Sequence, residues 1–208
     1  MTRHIFTLIG FFLGLSSVFG QTLTYDVIRS DKSMGQTIVE RHITGNEIAY
    51  SLNTKTAFRV IFLIEVEYDL QETFLGKWLQ SGTSFNSLNG SIQKKTSISK
   101  RQKDYQLIID GISTSIAKDT ITESVSEIYF EEPFNGKEVF SAYFARYLNF
   151  EQIDDHKYSL TSPDGTNIYT YENGICTRVD ISRDFATFSQ VLLPELLANV
   201  RKGKIKGF

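Results

Sequence analysis

FRVIFLIEVEYDL, residues 58–70, decides the class of fold. Phe58, Val60, Phe62, Ile64, Val66, Tyr68 and Leu70 take alternate positions, and Arg59, Glu65, Glu67 and Asp69 fall between them. Period-two alternation puts the apolar set on one face of an extended chain. Thirteen residues at ~3.3 Å each make a strand of roughly 43 Å, where about five or six residues are usual. A single strand of that length belongs to a strongly curved sheet or a barrel wall. Ile61 and Leu63 give its middle a second apolar face, so the middle is expected to be covered on both sides and the ends on one.

The same period runs outward in both directions. LTYDVIR (23–29) alternates and ends in a turn over Ser30–Gly35. TIVERHI (37–43), EIAYSL (47–52), TFLGKWLQSG (73–82), SIQKKTSISK (91–100) and DYQLIID (104–110) follow, separated by Gly, Asn and Ser. Such runs are consecutive antiparallel strands. Further on, NIYTY (167–171) and ICTRVDI (175–181) flank Asn173-Gly174, which suits a type I′ hairpin turn, and Pro163-Asp164-Gly165 suits another tight turn. FATFSQVLL (185–193) is a last strand, and Pro194 opens a short helix, PELLANV, with Arg201 and Lys202 at its far end. The centre is less regular. SVSEIYFEEP (124–133) fits a helical turn or a strand. EVFSAYFARYLNF (138–150) fits a helix by the spacing of Phe140, Tyr143, Phe144 and Tyr147, or a strand by its aromatic content. No long helical stripe alternates with the strands, which argues against a parallel βαβ fold. The expectation is an all-β (mainly β) chain: a single curved antiparallel sheet, half-barrel or barrel-like, with one or two short helices.

The first twenty residues, MTRHIFTLIGFFLGLSSVFG, carry a basic start, an apolar run and small residues, the pattern of a secretory signal peptide cut between Gly20 and Gln21. The apolar run is shorter than the ~20 residues a membrane-spanning helix needs. The expected organisation is a signal peptide at 1–20, a β-rich exported domain at 21–193, and an extension at 194–208 that is a short helix or a frayed basic tail. No other segment resembles a transmembrane span. Removing Arg3 from the 22 basic residues leaves 21 against 24 acidic ones, a balance that argues against nucleic-acid binding. Cys176 is the one cysteine, so no internal disulfide holds the chain together. Aromatic side chains are its natural core filler.

Motifs of catalysis are sparse. No HxH, HExxH, CxxC, Gly-x-Ser-x-Gly or phosphate loop occurs, and no cofactor is expected. Asp154-Asp155-His156 is the nearest thing to a metal cluster and is better explained as a polar loop. Cys176 and His156 form a conceivable nucleophile–base pair only if the fold brings them together; a small residue on a hairpin strand explains Cys176 more simply. Glu131 and Glu132 are adjacent on an extended chain and so point to opposite faces. Trp78 is expected to share a strand face with Phe74 and Gly76.

Tyr25, Gly35, Tyr129, Glu132, Pro133, Tyr158, Leu160, Pro163, Gly165, Tyr169, Tyr171, Asn173 and Gly174 carry a resemblance. The chain resembles a family of exported proteins, mainly from Bacteroidetes-type bacteria, catalogued as a domain of unknown function, over the mature chain to about Leu193. The resemblance implies an all-β envelope domain and brings no catalytic residues with it. At the level of architecture the chain is also similar to the half-barrel lipoprotein carriers of the periplasm.

The expected function is that of an exported, periplasmic or extracellular, non-enzymatic protein. It would bind a hydrophobic small molecule or lipid, or an envelope partner protein, on its curved sheet. Phe62, Ile64, Trp78, Tyr129 and Tyr169 are the candidate ligand contacts. The alternatives are a structural or interaction domain with a filled core and no cavity, and a hydrolase-like enzyme using Cys176 and His156 or scattered carboxylates.

Overall fold

The computed structural model describes residues 18–59, 62–133, 138–183 and 186–207. Fourteen strands form one antiparallel sheet. The first meander comprises β1 (Val18–Arg29), β2 (Lys32–Thr44), β3 (Glu47–Arg59), β4 (Leu63–Leu75), β5 (Trp78–Leu88), β6 (Ser91–Lys100), β7 (Tyr105–Ile109) and β8 (Ile112–Ile116). The second comprises β9 (Glu138–Ser141), β10 (Arg146–Asp154), β11 (Lys157–Ser162), β12 (Gly165–Glu172), β13 (Ile175–Arg183) and β14 (Ala186–Leu192). Each strand pairs with its sequence neighbours, and the two meanders join where β14 pairs with β1, with Tyr25 opposite Leu192. Among the described residues the sheet therefore starts and ends on β8 and β9 and does not close by hydrogen bonds.

The mainly-β, barrel-like expectation is met, but the stretch that suggested it is built differently. Residues 58–70 are not one strand. β3 ends at Arg59, β4 begins at Leu63, and those two residues pair across a hairpin. The alternation ran through the turn because the end of one strand and the start of the next carry the same period, and no Gly, Asn or Pro marked the break. Val60 and Ile61 lie outside the described residues. TFLGKWLQSG is likewise a hairpin, turning at Gly76-Lys77, so Phe74 is buried on the inner face while Trp78 pairs with Leu75 and is exposed. β2 starts at Lys32, and Gly35 sits inside it at a bulge rather than in a loop. EVFSAYFARYLNF is neither one helix nor one strand. β9 and β10 meet at a turn over residues 142–145, where Ala145 takes a positive φ of 54°.

Between β8 and β9 the chain passes through the inside of the curled sheet. Ile121, Ile128, Tyr129 and Phe130 of this crossing are buried, with a 3₁₀ turn at Glu127–Tyr129. They meet the alternate residues of the strands that face inward, among them Leu23, Tyr25, Val39, Leu52, Leu70 and Val179. Several hydrogen bonds fix the crossing. Tyr171 Oη donates to Ile128 O at 2.7 Å, and Ser124 Oγ donates to a Glu72 carboxylate oxygen at 2.7 Å. Glu132 accepts from Tyr158 Oη at 3.0 Å, and His156 Nδ1 lies 2.9 Å from the same carboxylate. Glu131, in the bend that follows the 3₁₀ turn, points away from Glu132 and pairs with the buried Arg41 at 3.1 Å.

The C-terminal segment packs rather than frays. Helix α1 (Pro194–Arg201) buries Val200, and Asn173 Nδ2 donates to Val200 O at 2.8 Å. Arg201 pairs with Glu172 at 2.7 Å. Basic residues at the end of the tail masked an apolar set, Leu196, Leu197, Val200 and Ile205, that packs on the core.

Candidate functional site

The inner faces of the two meanders do not meet everywhere. Where β3–β5 face β11–β14 across the crossing segment, a cavity of about 290 Å³ remains. Its wall combines Leu52 and Val66 from the first meander with Leu148, Leu160 and Ile181 from the second. Five rings line it: Tyr68, Tyr129, Tyr143, Phe144 and Tyr169. Asp164, Asn167 and Arg183 bring polar groups to the wall at the β11–β12 turn, and Asn86 of β5 lines the wall as well.

Local structure accounts for each placement. On β4, residues two apart share the inner face, so Val66, Tyr68 and Leu70 follow one another inward. The β9–β10 turn delivers Tyr143 and Phe144 across the seam. Tyr143 meets Tyr68 edge-on at 5.6 Å, and its carbonyl accepts from Thr96 Oγ1 at 3.3 Å. Lys94 lies 4.7 Å from the Tyr143 ring centroid and Lys118 lies 3.7 Å from that of Tyr147. The seam between the two ends of the sheet is thus shut by rings and cations where backbone pairing stops.

Tyr129 and Tyr169 on the cavity wall are buried. Burial pushes the phenols of Tyr68, Tyr129 and Tyr169 above their ordinary range, so they are neutral at any physiological pH. Burial also lowers the Arg183 guanidinium, which Asp164 partly offsets. Arg183 Nη1 donates to Asn167 Oδ1 at 2.9 Å and to Ser182 O at 2.8 Å. Asn86 Oδ1 is buried with no hydrogen-bond partner among the described residues, an acceptor that a bound molecule could satisfy. A larger hollow of about 430 Å³ lies at the ends of β2–β5 beside Lys55, Glu65, Glu67 and Gly90. Met34, Ala57 and Val66 give it some apolar lining, but Lys55, Glu65 and Glu67 charge it and no aromatic ring lines it, so the inner cavity is the better candidate.

Of the five residues singled out from the sequence, Tyr129 and Tyr169 line the cavity. Phe62 lies beside the β3–β4 turn, 67% exposed, and Trp78 lies at the start of β5, 46% exposed; neither is on the cavity wall. Ile64 is half-buried and also off the wall. Tyr68, Tyr143, Phe144 and Arg183 were missed, since only the curl of the sheet brings them together. Gly20 and Gln21 lie within β1, and Gln21 accepts from Arg41 Nη2 at 2.8 Å.

The conceivable nucleophile–base pair is not assembled. Cys176 is buried, burial raises its thiol well above the usual range, and its sulfur donates to Arg178 O. His156 instead sits at the β10–β11 turn and is committed to Glu132. The described cavity wall contains no His, Cys or Lys. No group of three or more His, Cys, Asp or Glu side chains could hold a metal among the described residues, and none of the described helices is long and apolar enough to cross a membrane.

Residues 25–193 match the family described as a domain of unknown function, DUF6134. The chain belongs to the DUF6134 family. The match ends at Leu193, so helix α1, which packs against the β12–β13 hairpin, lies outside the matched residues. Tyrosines 25, 129, 158 and 171, among those that carried the resemblance in the sequence, use their hydroxyls to hold the crossing segment or brace the strands around it. A crystal structure described as a β-barrel-like protein of domain of unknown function DUF1849, from Brucella abortus, is similar in fold. Its TM-score is 0.51 at 10% identity, covering 83% of this chain and 95% of that one. No curated protein matches the chain.

Proposed function

We propose that this DUF6134 protein is an exported, non-enzymatic binding protein of the cell envelope that holds a small, largely apolar molecule inside its curled sheet. The cavity carries this reading: about 290 Å³ of interior space, near the ~300 Å³ lower end of ordinary ligand sites, walled by aliphatic side chains and five aromatic rings. Asn86 Oδ1 and the partly bonded Arg183 supply polar groups on the wall that would orient the ligand. A domain built only for interaction would gain stability by filling such a space, since empty apolar volume costs packing energy. The signal-like first twenty residues support the exported location.

A fluorescent apolar anion, 1-anilinonaphthalene-8-sulfonate, tests the site directly. The wild-type protein is expected to bind it saturably with an emission blue shift, and Ile181→Trp, which fills the cavity from β13, is expected to weaken that binding at least about tenfold. Equal binding by the folded Ile181→Trp variant would place the dye elsewhere and overturn the assignment.

A further inference from the structure

The two free edges of the sheet are treated differently. β9 is covered by the chain itself: Phe140 N donates to Glu123 O at 2.9 Å, and Phe140 O accepts from Val125 N at 3.0 Å. β8 has no such cover among the described residues, and Ile112, Ser113, Thr114 and Ser115 are all exposed. Proteins normally blunt a bare edge with charge, proline or a bulge. β8, Ile-Ser-Thr-Ser-Ile, has none of these.

Its backbone is also poised to pair. The turn before β8 is Asp110-Gly111, with φ of 50° and 85°, the two-residue type I′ form. Ile109 and Ile112 flank it and face each other, so they exchange hydrogen bonds. By alternation Thr114 and Ile116 also turn their backbone groups toward β7. Ser113 and Ser115 turn theirs outward, to an edge where no strand pairs among the described residues.

We propose that β8 pairs with β8 of a second copy of this chain, antiparallel about a twofold axis at Thr114. The sequence of β8 reads the same in both directions. Centred on Thr114, the pairing sets Ile112 opposite Ile116 of the other copy, Ser113 opposite Ser115, and Thr114 opposite Thr114. The outward groups of Ser113 and Ser115 then meet in register and form four backbone hydrogen bonds. Ile112, 73% exposed in the single chain, gains an apolar cross-strand partner at each end. Any other antiparallel register puts an isoleucine opposite a serine or leaves outward groups unmatched. The interface is isologous, as a closed dimer requires. Five residues per side make it small, so the dimer forms in a concentration-dependent way.

Thr114→Cys gives the sharpest test. Facing residues in a pair that exchanges no hydrogen bonds have Cα atoms about 4.5 Å apart, within disulfide reach. Cys176 is buried and serves as an unreactive background. Mild oxidation of Thr114→Cys is expected to give a covalent dimer. Ser113→Cys, whose partner is Ser115 of the other copy, is expected to stay monomeric under the same treatment. In sedimentation, the wild-type chain is expected to dimerise below about 0.5 mM. Thr114→Lys is expected to weaken that dimer at least about tenfold with its unfolding midpoint unchanged. A wild-type chain monomeric throughout, or equal cross-linking of the two cysteine variants, overturns the pairing.

Discussion

The hydroxyl of Tyr129 donates a 3.0 Å hydrogen bond to Oε1 of Gln190, tying the crossing segment to β14. Gln190 in turn donates its amide to Thr37 Oγ1 at 3.0 Å. The relay runs from the interior through the strand that joins the two meanders, and Tyr129 and Gln190 both line the cavity. Tyr129→Phe keeps the ring and its edge-on contacts with Tyr25 and Tyr169 but leaves Gln190 Oε1 buried and unpaired. The expected loss is ~1–3 kcal/mol in urea unfolding. A loss below a few tenths would show that the relay does not hold the crossing in place.

Gly35 tests the packing of the first meander. Its φ is 145°, and a Cβ there would lie 2.0 Å from the carbonyl oxygen of Lys55 on β3. That neighbour is backbone in a paired strand and cannot swing aside. Gly35→Ala is expected to cost about 2–4 kcal/mol, read as a lowered urea midpoint. An unchanged midpoint would mean that the bulge in β2 relaxes freely.

The crossing segment sets one pH dependence. Burial, then the neighbouring Glu131, raises the Glu127 carboxyl to about 8 from its ordinary 4.5. The folded protein therefore binds this proton more tightly than the unfolded chain. Stability from this group is full below 4.5 and is lost as pH rises through about 8. Glu127→Gln is expected to match wild type at pH 4.5 and to exceed it in thermal midpoint at pH 8.5. A variant less stable than wild type at both values would contradict this.

His156 sets another. Its imidazole is raised above 6.5 by the hydrogen bond to Glu132 first, then by the charges of Glu132 and Asp155. The contribution is complete below 6.5 and fades as pH climbs through the higher folded value. His156→Gln should flatten the stability profile just above pH 6.5 and leave dye binding unchanged, because His156 is not on the cavity wall. A profile as steep as that of wild type would remove the pairing from the account.

The hairpin signals in the sequence were legible where turn chemistry is strict. Asn173-Gly174 adopts φ of 50° and 78°, as a type I′ turn demands. Turns without such residues were invisible: the break between Arg59 and Leu63 is bridged by apolar residues, and Ala145 takes its positive φ with no glycine to announce it. The central strands β9 and β10 were hidden because Phe and Tyr satisfy helical and extended spacing alike. Tyr129 and Tyr169 could be named as site candidates from their apolar, aromatic settings. Tyr68, Tyr143 and Arg183 could not, since Tyr68 lies on β4, Tyr143 in the β9–β10 turn and Arg183 on β13, and they converge only when the sheet curls. Phe62 and Trp78 looked like core because they continue an apolar period, yet each lies beside a turn, where the period carries past the last covered position.

Native mass spectrometry of the protein purified from its native cells tests the proposed ligand-bearing interior most directly. An interior that holds an apolar molecule gives a mass adduct that organic extraction removes and that Ile181→Trp abolishes while remaining folded. Protein that repeatedly arrives bare, or an adduct that persists undiminished in the filled variant, would contradict it.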